Sequence, residues 1–221
     1  MIKIKDHMNI LIIAAHPDDE VLGMGGTIKK MSKMKNTVHL CVVSEGASAQ
    51  YKDKKMIKQR QESCIQSSKI LGISNIDFLD FPDMRLDTIP HLEINQALEK
   101  IISKFKPKFV FTTPNNDLNK DHSIVFESSL VATRPHITKV KKLMSYEIPG
   151  LTSSPFIPNL YENIFSELKF KIKALKCYKS ELNDFPHPRS IEVVNSISKI
   201  RGMESGLKNA EAFKIIRDIS E

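Results

Sequence analysis

Short β-branched runs alternate with longer segments of helical period along most of the chain, and few architectures accept that order. Strands are predicted over residues 9–15, 37–43, 76–80, 108–113 and 142–148. Helices are predicted between them, over residues 20–35, 56–71, 89–105 and 122–133. In the third helix Ile94, Leu98, Ile101, Ile102 and Phe105 recur at spacings of three and four, which makes one apolar stripe facing a sheet. Strands joined by helices pair in parallel, so the expected fold is α/β, a Rossmann-like doubly wound, mostly parallel sheet. Beyond Ile148 the texture changes to "PGLTSSPFIPN", a long ordered loop or link. Two further helices follow, over residues 166–182 and 190–203, with "NDFPHPRS" between them. The last stretch, "AEAFKIIRDI", fits a strand or a helix. The expectation is one domain over residues 1–221, with a Rossmann-like core in 1–148 and a C-terminal helical and loop subregion in 149–221.

Composition narrows the setting. Of 221 residues 41% are apolar, enough for one sizeable core. The first ten residues, "MIKIKDHMNI", lack the apolar core of a signal peptide, and no run of about 18 apolar residues occurs, so no membrane span and a cytoplasmic location are expected. Cys41, Cys64 and Cys177 are far apart and form no C-x-x-C pair, which argues against a disulfide framework and a cysteine zinc site. The net charge of +7 comes mostly from lysines scattered as in "KVKK" and "KFKIKALK". Tryptophan is absent and the lysines do not interleave with stacking aromatics, so a solvated surface is expected and no nucleic-acid partner.

The chemistry concentrates where the first strand ends. "AAHPDDEVLG" places His16, Asp18, Asp19 and Glu20 within five residues of a buried run. Open α/β sheets bind ligands outside the carboxyl ends of their strands, where the strand order reverses. The fourth strand commonly faces the first there, and its following loop, "TPNNDLNKDHS", also combines carboxylates and amides with a histidine. Pro17 suits a first helical turn, and a turn brings His16 and Asp19 to one side. A catalytic zinc takes three N and O ligands and keeps an open position; His122 is the natural third. Asp18 would then lie within reach of a water whose pKa the metal lowers toward about 7, and could take its proton. Acidic residues at a helix N-terminus are also favoured by the macrodipole alone. Glu20 is assigned to that role, whereas two aspartates directly behind a histidine favour metal chemistry. A dinucleotide site is disfavoured: Gly23, Gly25 and Gly26 follow the acidic cluster rather than precede it, and the aspartates would repel a pyrophosphate. The glycines fit close packing of the first helix on the sheet.

A strand, "AAHPDDE", a glycine-rich first helix and a later "NDLNKDH" resemble the PIG-L/LmbE-like family of zinc-dependent N-acetylglucosamine deacetylases. "RQES", "ILGI", "DFPDMRLD", "CYKSEL", "FPHPRS", "RGMESG" and "AEAF" extend the resemblance to its bacterial branch. It implies that His16, Asp19 and His122 hold Zn2+, or another divalent metal such as Fe2+, and that Asp18 is the general base. It further implies a supporting carboxylate in Asp121, substrate-facing positions in Arg60 and Asp83, and a homo-oligomer. The substrate class implied is a small-molecule N-acetylated amino sugar or its conjugate. One departure stands out. Many members carry a second histidine three residues before the last ligand, and here that residue is Asn119. An asparagine can donate a hydrogen bond to an oxyanion but cannot deliver a proton. His187, between two prolines in "FPHPRS", is the candidate to replace the missing histidine. The sequence therefore predicts a zinc-dependent N-deacetylase, with a metal- or sugar-binding relative of weak or lost turnover as the alternative.

Overall fold

A computed structural model describes residues 7–51 and 55–220. Residues 1–6, on which the expectation of no leader partly rests, lie outside the described residues. The strands β1 (Asn9–Ala14), β2 (Thr37–Ser44), β3 (Asn75–Phe81), β4 (Phe109–Thr112), β5 (Lys142–Tyr146), β6 (Leu160–Asn163) and β7 (Ala210–Asp218) form one sheet. Its order is β3-β2-β1-β4-β5-β7-β6. The first five strands run parallel, and β7 pairs antiparallel with both β5 and β6. The helices are α1 (Asp19–Lys33), α2 (Lys55–Leu71), α3 (His91–Phe105), α4 (Lys120–Ala132), α5 (Leu168–Leu175) and α6 (Ile191–Ser205).

The central strands are apolar on both faces because both are covered, as parallel sheets require. Ile10, Ile12 and Ala14 of β1 join Val21, Leu22 and Ile28 of α1 and Leu175 of α5 in one core. Leu11 and Ile13 point the other way, toward Ile94, Leu98 and Ile102 of α3 and Val125 of α4. The stripe read from α3 is the face that is buried. Cys41 and Cys64 are buried and unbridged, and among the described residues no helix is long and apolar enough to cross a membrane.

The part of the chain beyond residue 148 supplies helices and loop and also two strands. "AEAFKIIRDI" resolves as β7, inserted between β5 and β6. β7 also reaches into the first helix. α1 breaks at Met24 (φ −144°, ψ 24°), and the amides of Gly26 and Thr27 donate to Glu211 of β7 at 2.9 and 2.7 Å. A helix start leaves amides without intrahelical partners; here a buried carboxylate satisfies two, and Lys171 of α5 neutralises it at 2.7 Å. Gly23 allows α1 to lie this close: a Cβ there would stand 2.9 Å from the Glu147 carbonyl and would strike the Tyr146 ring.

Candidate metal and catalytic site

The strand order reverses at β1 and β4, and the site is built from the two loops that leave their carboxyl ends. Between β1 and α1 the chain turns tightly. His16 N–H donates to Asp19 Oδ2 at 2.8 Å, and Asp18 takes φ 122° and ψ −22°, a backbone region that side chains rarely adopt. Such a residue costs about 1–3 kcal/mol and persists only where its surroundings hold it. Glu20 does part of that holding. It is fully buried, accepts the Asp18 N–H at 3.2 Å and accepts the Tyr178 hydroxyl at 2.7 Å. Burial, together with the Asp18 charge and against the Tyr178 hydrogen bond, raises its pKa to about 7. Arg60 does the rest, donating to the carbonyls of Pro17 at 2.9 Å and of Gly46. Gly46 has φ 67°, and a Cβ there would lie 2.5 Å from Pro17 Cδ, so this contact needs glycine.

From β4, the Thr113 hydroxyl donates to the His122 carbonyl at 2.8 Å and ties the start of α4 to the strand end. Asn119 is the N-cap of α4, its side-chain oxygen accepting the Asp121 N–H at 3.0 Å.

The two loops bring His16, Asp19 and His122 together, all buried. His16 Nδ1 lies 3.2 Å from His122 Nε2 and 3.6 Å from Asp19 Oδ2; His122 Nε2 lies 3.4 Å from Asp19 Oδ1. The outward ring nitrogens are each held by carboxylates. His16 Nε2 faces Asp121 Oδ2 at 3.2 Å and Asp83 Oδ1 at 3.4 Å, and His122 Nδ1 faces Asp117 Oδ2 at 2.8 Å. Asp121 is fixed in turn by the amides of Met84 at 2.9 Å and Leu86 at 3.2 Å. A carboxylate behind a histidine sets the tautomer and aims the other nitrogen, so Nδ1 of His16 and Nε2 of His122 are the nitrogens turned toward each other and toward Asp19. His16, Asp83 and Asp121 also lie within reach of one another, but they share His16 Nε2, and that group is the support of the first.

Burial works against a charge on His16, yet the hydrogen bonds to Asp121 and Asp19 and the Asp19 charge outweigh it and lift the pKa to about 9. Burial likewise opposes charge on His122, and Asp19 and Asp117 raise it to about 10. Burial would push Asp19 up, but the two imidazoles hold it well below the usual carboxylate range. Without a metal, protons on the histidines supply the positive charge this cluster demands. Two observations fit a divalent cation in their place. Two imidazole nitrogens face each other, and Asp19 Oδ1 is buried with no hydrogen bond. The donors are the N and O types that zinc takes.

Asp18 stands beside this set, fully buried. Its Oδ2 accepts Arg189 Nε at 2.9 Å and lies 3.6 Å from Arg60, while Oδ1 has no hydrogen-bond partner. The three remaining expected residues take distinct places around it. Arg60, expected to face substrate, is buried beneath the loop because backbone carbonyls satisfy its terminal nitrogens. Asp83, expected in the same role, faces His16; burial raises its pKa while His16 and Arg60 oppose the rise. His187 is exposed, with Nδ1 accepting the Arg189 N–H at 3.1 Å, and it is Arg189 that reaches the cluster. Sequence reasoning did not single out Arg189, Asp117 or Tyr178. Asp117 carried a signal: it is a carboxylate in the same loop as a candidate histidine ligand.

Sheet order and donor set first define a class, an α/β protein with a candidate metal site at its switch point. The family model described as PIG-L, GlcNAc-PI de-N-acetylase, matches residues 11–133, which include His16, Asp19 and His122. The uncharacterized deacetylase YaiS of Escherichia coli is 32% identical over 180 residues, covering 77% of this chain and 90% of its own. The chain belongs to the PIG-L family. It is also similar to the diacetylchitobiose deacetylase of Thermococcus kodakarensis, 24% identical over 97% of this chain and 85% of that protein. In three dimensions it matches the N,N'-diacetylchitobiose deacetylase of Pyrococcus horikoshii with a TM-score of 0.82 at 24% identity, over 96% of this chain and 85% of that one.

Proposed function

We propose that the protein is a metal-dependent hydrolase that removes the N-acetyl group from an N-acetylated amino sugar or its conjugate. The observation that carries this reading is Asp18: a buried carboxylate on a strained backbone, with one oxygen unpartnered, beside three metal donors. Strain held in place at such a point is characteristic of functional sites, and a carboxylate so placed suits a general base. The family description and the two diacetylchitobiose deacetylases support the substrate class.

His16, Asp19 and His122 would hold Zn2+, or another divalent metal such as Fe2+. When bound, zinc supplies Lewis acidity, which polarises the acetyl carbonyl and brings the pKa of a water toward about 7. Asp18 takes a proton from the water as its oxygen attacks the acyl carbon. Asp121 and Asp117 keep the two imidazoles aimed. Asn119 has its side-chain oxygen committed to the helix cap, so its NH2 is the end free to donate to the carbonyl oxygen as negative charge develops, a contribution on the order of 10²-fold. The departing amine needs a proton, and Asn119 has none to deliver. Asp18 returns the one it took, leaving acetate and a free amine.

Asparagine at position 119, which has no proton to deliver to the leaving amine, favours one second reading, a metal- and sugar-binding protein without turnover. Elemental analysis of protein purified without added metal separates these from a capped helix start. About one zinc or iron per chain is expected, and none in Asp19→Ala. No metal even after zinc is supplied contradicts the proposal. Free-amine release from a panel of N-acetyl sugars is then expected from the natural protein; release only from Asn119→His would make the natural protein a binder.

A further inference from the structure

Two arginines flank Asp18, and they are built differently. Arg60 is 4% exposed and both terminal nitrogens donate to backbone carbonyls. Arg189 is 29% exposed, and only its Nε is engaged by a side chain, at Asp18 Oδ2. Its two terminal nitrogens make no hydrogen bond among the described residues. Its backbone is anchored nonetheless. Ser190, the next residue, is the buried N-cap of α6, accepting the Val193 N–H at 3.1 Å and donating its own N–H to the His187 carbonyl at 3.0 Å. A loop that is otherwise exposed thus delivers one cation to the base from the open side.

We infer that Arg189 is a positioning residue for Asp18: by occupying Oδ2 it turns the unpartnered Oδ1 toward the water, so that Oδ1 is the oxygen that exchanges protons. The inference rests on the hydrolase reading above. In the first step a water O–H bond breaks and its proton joins Asp18 Oδ1, while the water oxygen bonds to the acyl carbon and the carbonyl π pair moves onto its oxygen, to re-form the double bond in the second step. In the second the carbon–nitrogen bond breaks and that proton passes from Oδ1 to the amine. Arg189 stays charged throughout, since a guanidinium does not release its proton in this range. A charge-assisted hydrogen bond fixes direction as well as charge, and a misplaced catalytic group loses on the order of 10²-fold in rate.

The test compares Arg189→Ala and Arg189→Lys with wild type, metal-loaded, on the N-acetyl sugar that wild type turns over best. Expected for Arg189→Ala are a kcat lower by about 10²-fold with KM within about threefold, unchanged metal content, and recovery of about tenfold or more on adding guanidinium chloride at millimolar concentration. Arg189→Lys should fall between the two. A second readout needs no turnover. Arg189→Ala should lower Tm by about 2–5 °C where Asp18 is present, and not in an Asp18→Asn background, because only with the charge present does a buried carboxylate lose its 2.9 Å partner and keep only Arg60 at 3.6 Å. Unchanged kcat in Arg189→Ala, or a loss that guanidinium does not touch together with equal Tm shifts in both backgrounds, overturns the inference. Wild-type protein that releases no amine from any sugar overturns the hydrolase reading instead, and the melting cycle still decides the pair.

Discussion

Helix α1 touches two buried ionic clusters, and they follow opposite rules. At its kink, Glu211 receives the amides of Gly26 and Thr27 and the ammonium of Lys171, so both of its oxygens and both charges are paired. At its N-terminus Asp18 and Asp19 each keep a buried oxygen without a hydrogen bond, and the backbone of Asp18 is strained. Complete pairing is what a buried charge needs if it is only to hold a fold together. Incomplete pairing is costly, and it persists where a ligand or a reaction completes the set. The same helix therefore carries a structural cluster and the candidate functional one, and the pairing of their carboxylate oxygens distinguishes them better than burial or charge.

That contrast yields graded expectations. Asp19→Ala should have the largest effect on turnover, abolishing metal binding and lowering kcat by about 10³-fold or more, as measured by elemental analysis and amine release. Asp18→Asn should keep the metal, lose about 10²–10⁴-fold in kcat and melt no lower than wild type, since it removes a buried charge. A marked fall in its Tm would put Asp18 with the structural cluster. Asp117→Asn should weaken metal affinity by about 10–100-fold, read by competition with a chelator. Glu211→Ala should do the reverse of all these: turnover of the folded protein within about threefold, but stability lower by about 3–5 kcal/mol because Lys171 is left buried and unpaired, a Tm loss on the order of 10 °C.

Proton linkage sharpens the same contrast. In the metal-free protein His16 and His122 hold protons up to about pH 9 and 10. Metal binding must expel those protons, so apparent affinity should climb as pH rises toward 9–10 and level off above. Isothermal titration in buffers of different ionisation enthalpy would count the protons released. An affinity flat between pH 7 and 9 would contradict the assignment of these two rings as ligands.

Much of the candidate site was legible because its information is local. The apolar run of β1, the turn at Pro17 and the His16 to Asp19 spacing lie in one short segment, and a topological rule placed the loop of His122 opposite. The structural cluster was not legible, because Gly26 and Glu211 are 185 residues apart and Lys171 joins from a third element. β6 escaped for a related reason: four residues, two of them only half-buried, carry too little periodicity to be read without the partner strand. Arg189 sat in a motif the sequence analysis marked, but a histidine between prolines drew the assignment. The arginine's reach to Asp18, 171 residues away, exists only in the folded chain. Nor does sequence reveal that Asp18 takes a positive φ, which is imposed by Glu20, Arg60 and the backbone around Gly46.

The most direct test of the central claim is release of free amine and acetate from N-acetylated glucosamine conjugates by the natural protein, followed before chelation, after it, and after zinc or iron is restored. Stoichiometric amine and acetate that vanish on chelation and return with metal are the predicted result. Tight metal binding at His16, Asp19 and His122 with no amine from any conjugate, with or without Asn119→His, would contradict it.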